Sequence, residues 1–208
     1  MEFTLIDKSK WSRREVYEHY MNDNPCTFSM SVKLDITKIR EEKRKIYPYL
    51  LYVITKAINN HEEFRFSFDE KKRLGFFSSM SPIYTIFHND SKTFSNIYTE
   101  YNSDYNTFLS SYNRDMEKYK DDLRINPQEN IPINTFPVSM IPWTSFDGFN
   151  LNIKNNYEYL SPIFTMGKFY EEGEKILLPF AIQINHSVCD GYHVCTLINE
   201  IQNEINEN

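Results

Sequence analysis

The sequence predicts an α+β fold, a mixed β-sheet with helices packed on it, and three observations carry that expectation. First, two stretches keep strict period two. Phe28, Met30, Val32 and Leu34 alternate with Ser29, Ser31 and Lys33, and Ile176, Leu178, Phe180, Ile182 and Ile184 repeat the pattern. Such alternation turns one face of a strand toward a core. Second, two stretches follow the helical rule: Tyr105, Phe108, Leu109, Tyr112, Met116 and Tyr119, then Val194, Leu197, Ile198, Ile201 and Ile205. Third, turn-forming residues at Asp69 to Gly75 and at Glu172-Gly173 separate strand-like runs at hairpin distance. The steady strand–helix–strand rhythm of a parallel α/β sheet is not present.

In chain order, Trp11-Ser12-Arg13-Arg14-Glu15-Val16 reads as a helix start. Ser12 and Glu15 stand at capping-box spacing, and Trp11 with Val16 fits a hydrophobic staple. That helix is expected to reach Met21, with Tyr17, Tyr20 and Met21 on one face. Pro25 ends it, and a strand follows from Cys26 to Leu34. Pro48 opens a buried helix through Leu50, Leu51, Ile54, Ala57 and Ile58. Phe64 to Phe68 and Phe76-Phe77 flank the charged turn as a hairpin, and Ile83 to Phe87 is a further strand. A long helix covers Asp104 to Asp122. The proline-bearing stretch Ile125 to Pro137 reads as loop. Val138 to Trp143 follows, then a turn at Asp147-Gly148 and a strand at Phe149 to Ile153. Ile163 to Tyr170 pairs with Lys175 to Ile184 as a hairpin before the C-terminal helix.

At 208 residues the chain can bury a full hydrophobic core, and it is expected to form one compact domain over residues 1–208. The net charge of −6 argues against a nucleic-acid partner. The short basic runs Lys43-Arg44-Lys45 and Lys71-Lys72-Arg73 read as solvated turns. Three cysteines, Cys26, Cys189 and Cys195, lack a framework spacing and suit free thiols in a reducing cytoplasm. No apolar run approaches the roughly 20 residues that a membrane-spanning helix needs. The N-terminal residues do not resemble a secretory leader.

The stretch that invites chemistry is Asn185-His186-Ser187-Val188-Cys189-Asp190-Gly191, a polar turn between a buried strand and an amphipathic helix. A neutral imidazole is suited to take a proton from an alcohol, so His186 reads either as a general base or as a buried, hydrogen-bonded histidine. Asp190 either orients that imidazole or pairs with a buried arginine. His186, Cys189 and His193 do not complete a tetrahedral ligand set, so no metal is expected. His61 and His88 read as surface residues, and the role of His19 is open. Phosphate-binding glycine loops and a GxSxG elbow are absent from the sequence.

His186 to Gly191 resembles the HxxxDG motif of CoA-dependent acyltransferases. The wider chain is similar to one branch of them, the chloramphenicol O-acetyltransferases. The matching stretches are Trp11 to Tyr20, Pro25-Cys26-Thr27-Phe28-Ser29, Tyr84-Thr85-Ile86-Phe87-His88, Thr93-Phe94-Ser95, Ser139-Met140-Ile141-Pro142-Trp143, Phe149-Asn150-Leu151-Asn152 and Pro162 to Lys168. They run in family order over essentially the whole chain. The resemblance implies acetyl transfer from acetyl-CoA to the C3 hydroxyl of chloramphenicol, with no permanently bound cofactor. It also implies a homotrimer whose active sites lie at subunit interfaces. Within it, His186 is the general base, and Asp190 forms a salt bridge with Arg13. Ser139 stabilises the tetrahedral oxyanion, and Thr165 assists through a bound water. Tyr20, Cys26, Phe28, Phe94, Leu151 and Ile163 wall the antibiotic pocket. Three positions depart from the pattern: Asn185 replaces the usual histidine before His186, Phe77 a Trp or Tyr, and Asn126 an apolar residue. Another hydroxylated acceptor, or antibiotic binding without turnover, are the alternatives.

Overall fold

The computed structural model of the protein describes residues 2–153 and 158–207. Among these residues the strands, in chain order, are β1 (Phe3–Leu5), β2 (Thr27–Asp35), β3 (Phe66–Phe68), β4 (Leu74–Phe77), β5 (Ser81–His88), β6 (Thr93–Tyr98), β7 (Thr135–Met140), β8 (Ile163–Met166), β9 (Tyr170–Glu172) and β10 (Lys175–Asn185). The helices are α1 (Arg14–Glu18), α2 (Thr37–Glu41), α3 (Ile46–Asn60), α4 (Tyr105–Tyr119) and α5 (Gly191–Glu207). A wide π-type turn, His19–Asp23, continues α1, and a 3₁₀ turn, Glu62–Phe64, follows α3.

The main sheet is built around β10. On one side it pairs antiparallel with β2, from Leu177 opposite Asp35 to Asn185 opposite Thr27. On the other it pairs antiparallel with β8 and β9. The sheet then continues through two parallel pairings, β8 with β7 and β7 with β5, to β6 at the far edge. The α+β mixed sheet expected from the sequence is the fold formed. β1, β4 and β3 make a smaller antiparallel sheet.

Register decides which residues share a face, because side chains alternate along a strand and directly paired residues point the same way. One face carries Phe28, Met30, Val32 and Leu34 of β2 opposite Ile184, Ile182, Phe180 and Leu178 of β10. Phe164, Met166 and Val138 extend this apolar layer. α3, α4 and α5 supply the other half of the core. α3 is buried almost all round, from Pro48 to Ile58, as its nearly continuous apolar sequence requires. The opposite face carries Ser29, Ser31, Ala181, Gln183, Thr165, Ser139 and Pro137. β10 is covered on both faces over most of its length, because the segment Phe149 to Leu151 lies across this second face.

Several expectations are corrected. The Ser12–Glu15 capping box does not form: Arg13 is the N-cap and no side chain caps α1. Trp11 packs between Tyr17 and Phe66, with ring centroids 5.5 and 5.4 Å away, while Val16 stays exposed, so the staple with Val16 gives way to a long-range aromatic contact. The strand expected from Ile163 to Tyr170 is two strands. Between Met166 opposite Phe180 and Tyr170 opposite Leu177, three residues face two, which is a bulge. Pro179 sits there, where its missing N–H breaks no ladder bond, and its carbonyl accepts from Gly167 N at 2.8 Å. Phe149 to Ile153 forms no strand and joins no ladder. The expected loop to Pro137 ends earlier, at Asn134, because β7 begins at Thr135 and its pairing with β8 starts only at Val138. β1 and α2 are too short for any period to show. In β6 the inward Ser95 breaks the apolar alternation that would have marked it. His88 is not a surface residue: it is 7% exposed and its Nε2 pairs with Ser95 Oγ at 2.8 Å. His61 is half-buried against Glu200.

Phe180 is fully buried and packs on Phe164, ring centroids 5.6 Å apart. Phe180→Ala is expected to destabilise the fold by about 3–5 kcal/mol, read as a lowered urea unfolding midpoint.

Candidate active site

β10 ends at Asn185 and the chain reverses into α5 through the turn that carries His186. Asn185 builds the turn: its Oδ1 accepts from Ser187 N at 3.0 Å and Ser187 Oγ at 2.7 Å, and its Nδ2 donates to Tyr159 O at 3.4 Å. A short carboxamide that bonds its own backbone two residues on is a turn-forming device. His186 N donates to Cys26 O at 3.1 Å, which ties the turn to the start of β2.

Arg13 closes the turn from outside. Its Nη1 donates to Asp190 Oδ2 at 2.8 Å, Nη2 to His186 O at 3.2 Å and Nε to Ser187 O at 3.2 Å. The guanidinium fork thus holds a carboxylate and two carbonyls at once. The Asp190 carboxyl lies below its ordinary value: burial pushes it up, but the Arg13 hydrogen bond, the charges of His193 and Arg13 and the Tyr192 amide together outweigh that. Arg13, Tyr192 and His193 engage the two oxygens of Asp190. The His186 ring takes a different partner, with Nδ1 placed 3.2 Å from Cys189 O. A carbonyl can only accept, so Nδ1 carries a proton, and in the neutral imidazole Nε2 is the nitrogen with the lone pair. Tyr20 stacks on the imidazole, centroids 3.9 Å apart and planes at 11°, and Phe28 meets it edge-on at 5.0 Å. The π-type turn after α1 sets Tyr20 in that position, a common use of such turns at functional sites. Burial pushes the thiols of both Cys26 and Cys189 up, so they stay protonated. Among the described residues no group of three or more His, Cys, Asp or Glu is placed to hold a metal ion.

The remaining candidates gather elsewhere. Ser139 and Thr165 are register partners in β7 and β8 and face the second side of the sheet. Thr165 is paired with Ala181. His186 lies five residues beyond Ala181, just past the end of β10, so at about 3.3 Å per residue roughly 16 Å separate the levels of the histidine and of the Ser139–Thr165 pair. Ile163 shares their face and is buried; Leu151 lies above it, 45% exposed. Phe94 stands on that same face but in the edge strand β6, 49% exposed. One chain therefore brings together Tyr20, Cys26, Phe28, His186, Asp190 and Arg13 as one group. It brings Ser139, Thr165, Ile163 and Leu151 together as a second, with Phe94 at the sheet edge. Sequence reasoning missed Gln183 and Ser31, which hold the Leu151 segment. Their signal was polar residues at the non-core positions of two strands that are otherwise apolar.

Asp190 is depressed in the folded chain, so its contribution to stability is complete above the ordinary carboxylate value of about 3.9 and is lost as pH falls through the lower folded value. Asp190→Asn is expected to lower the melting temperature at pH 7, and the gap to the parent should narrow as pH falls below about 4. Thermal melts across that range check it. Asn185→Leu, which removes the turn's own acceptor, should also cut stability, by about 1–3 kcal/mol.

Comparison with known proteins adds the lineage. A family model described as chloramphenicol acetyltransferase matches residues 1–202. A chloramphenicol acetyltransferase of Campylobacter coli is 52% identical over 207 residues, covering 100% of this chain and 100% of the relative. One of Clostridium perfringens is 51% identical over 206 residues, covering 99% and 100%. Among solved structures, a chloramphenicol acetyltransferase superposes with a TM-score of 0.88 at 18% identity, over 97% of this chain and 99% of that one. The cubic core of a pyruvate dehydrogenase multienzyme complex superposes at 0.68 and 12% identity, over 93% and 86%. These last two speak for the fold, and the first three for descent. Half of the residues are shared over the entire length with relatives of that one name, and the chain belongs to the chloramphenicol acetyltransferase family.

Proposed function

We propose that the protein transfers the acetyl group of acetyl-CoA to the primary (C3) hydroxyl of chloramphenicol and so confers resistance to that antibiotic. The observation that carries the reading is the placement of His186: Nδ1 is committed to Cys189 O, which makes Nε2 the lone-pair nitrogen of the neutral ring, and two aromatic rings fix the imidazole plane. In the reaction Nε2 takes the hydroxyl proton as the oxygen attacks the thioester carbonyl. Such a base contributes about 10²–10⁴ in rate. The Ser139 hydroxyl donates to the oxyanion that forms, a contribution of about 10²–10³, and Thr165 assists through a water. Collapse breaks the carbon–sulfur bond, and the imidazolium returns its proton to the departing thiolate. Acetyl-CoA is a cosubstrate, and the reaction needs neither a metal nor a covalent enzyme intermediate.

Within one chain His186 stands roughly 16 Å along β10 from the level of Ser139 and Thr165, too far for one carbonyl to meet both. This supports a homotrimer in which one copy supplies the histidine and its neighbour the oxyanion donors and most of the antibiotic pocket. Tyr20, Cys26 and Phe28 then wall the acceptor from the histidine side, and Phe94, Leu151 and Ile163 from the other. Arg13 and Asp190 hold the turn and do not relay protons. The protein acts as a single domain in the cytoplasm; among the described residues no helix is long and apolar enough to cross a membrane. Asn185 bonds Ser187 and Tyr159 O while His186 holds Cys189 O and Cys26 O, which supports turnover over simple sequestration of the antibiotic.

Acetyl-CoA and chloramphenicol mixed with the protein should release free thiol, and His186→Ala should lower kcat by about 10²–10⁴. An intact protein that releases none at saturating substrate sinks the reading. Mixing His186→Ala with Ser139→Ala chains under reassembly should restore up to about a quarter of parental activity, because random pairing leaves that share of interfaces with both residues. A site contained in one chain would recover nothing.

A further inference from the structure

We infer that Gln183, with Ser31 beside it, is a latch that holds the Phe149 to Leu151 segment across the sheet and so sets where Leu151 stands against the acceptor. The inference rests on the reading of Leu151 as an acceptor wall. Gln183 lies in β10 on the same face as Ala181 and Thr165, and it is 6% exposed. A buried carboxamide is costly unless its polar atoms are bonded. Its Oε1 accepts from Leu151 N at 2.8 Å, and Ser29 Oγ lies 3.5 Å from the same atom. Two residues back, Phe149 N donates to Ser31 Oγ at 3.3 Å.

The pattern is that of a strand whose ladder partner has been replaced by side chains. In extended backbone the amides of residues i and i+2 point to the same side, and here both find hydroxyl or amide oxygens rising from β2 and β10. Phe149, Leu151 and Ile153 keep the apolar period of a strand, which is why the sequence predicts one, yet the anchoring passes through two polar side chains. Beneath the segment the space lined by Ile163, Thr165, Ala181 and Gln183 narrows to about 10 Å³, room for a single water at most. Leu151 therefore cannot sink toward the sheet, and the two bonds stop it from lifting. Gln183 touches no reacting atom in this scheme; it is a positioning residue that acts through Leu151 on acceptor binding.

Steady-state kinetics on the assembled enzyme separate this role from a general structural one. Gln183→Leu is expected to raise the KM for chloramphenicol about five- to tenfold, the loss of one buried hydrogen bond, while the KM for acetyl-CoA stays within about twofold. Gln183→Glu keeps acceptor oxygens at the same place and is expected to recover most of that loss. Amide hydrogen exchange at Leu151, slow in the parent, is expected to speed up in Gln183→Leu. An unchanged chloramphenicol KM in Gln183→Leu, or a Gln183→Glu variant as impaired as the leucine, overturns the latch. If Gln183→Leu does not fold, Ser31→Ala at the less buried end is the variant: a two- to threefold rise in the same KM supports the latch, and no rise overturns it. A parent that acetylates nothing defeats the functional reading alone. Leu151 exchange then decides the latch, and equal rates in parent and variant overturn it.

Discussion

The guanidinium of Arg13 carries the geometry on which the rest of the site depends. It reaches from the N-cap of α1 to the turn 173–177 residues away in sequence and takes hold of Asp190 and of the carbonyls of His186 and Ser187. Without it, the turn would present a part-buried carboxylate and two carbonyls with no common donor. With it, α1 is tied to the head of α5, and the π-type turn that follows α1 delivers Tyr20 onto the imidazole. The same pairing explains why α1 starts without a side-chain cap. Arg13 occupies the capping position, and its side chain is committed to a distant contact.

The second constraint is the two-sided burial of β10. Its core-facing side is filled by Leu178, Phe180, Ile182 and Ile184, and its other side is roofed by the Phe149 to Leu151 segment. A strand buried on both sides has little freedom to slip, since a one-residue shift would exchange the apolar set for Ala181, Gln183 and Asn185. The polar residues are thereby kept on the other side: Thr165 and Ser139 lie on it, next to the apolar core but facing away from it.

Much of this was legible in the sequence, and the parts that were not share a cause. Strict alternation in β2 and β10 and helical spacing in α3, α4 and α5 survive folding because they encode burial directly. His186, Asp190 and Arg13 were recoverable because a motif and a resemblance named them. The Ser12–Glu15 cap, the Trp11–Val16 staple and the unbroken strand from Ile163 to Tyr170 failed because each was a local rule overridden by a distant partner: the turn of Asp190, the ring of Phe66 and the bulge at Pro179. Gln183 and Ser31 were invisible for the same reason. A polar residue at a non-core position looks solvated until the segment that covers it is in place.

The interval between Ala181 and His186 has a further consequence. It is a length of fully paired strand, and such a strand neither stretches nor compresses. β10 therefore works as a ruler between the level of the Ser139–Thr165 pair and the level of His186. A single residue gained or lost between Thr165's partner and the turn would invert every side chain beyond it. Length variation across the lineage should thus be confined by the ruler, independently of which acceptor any one member has come to use.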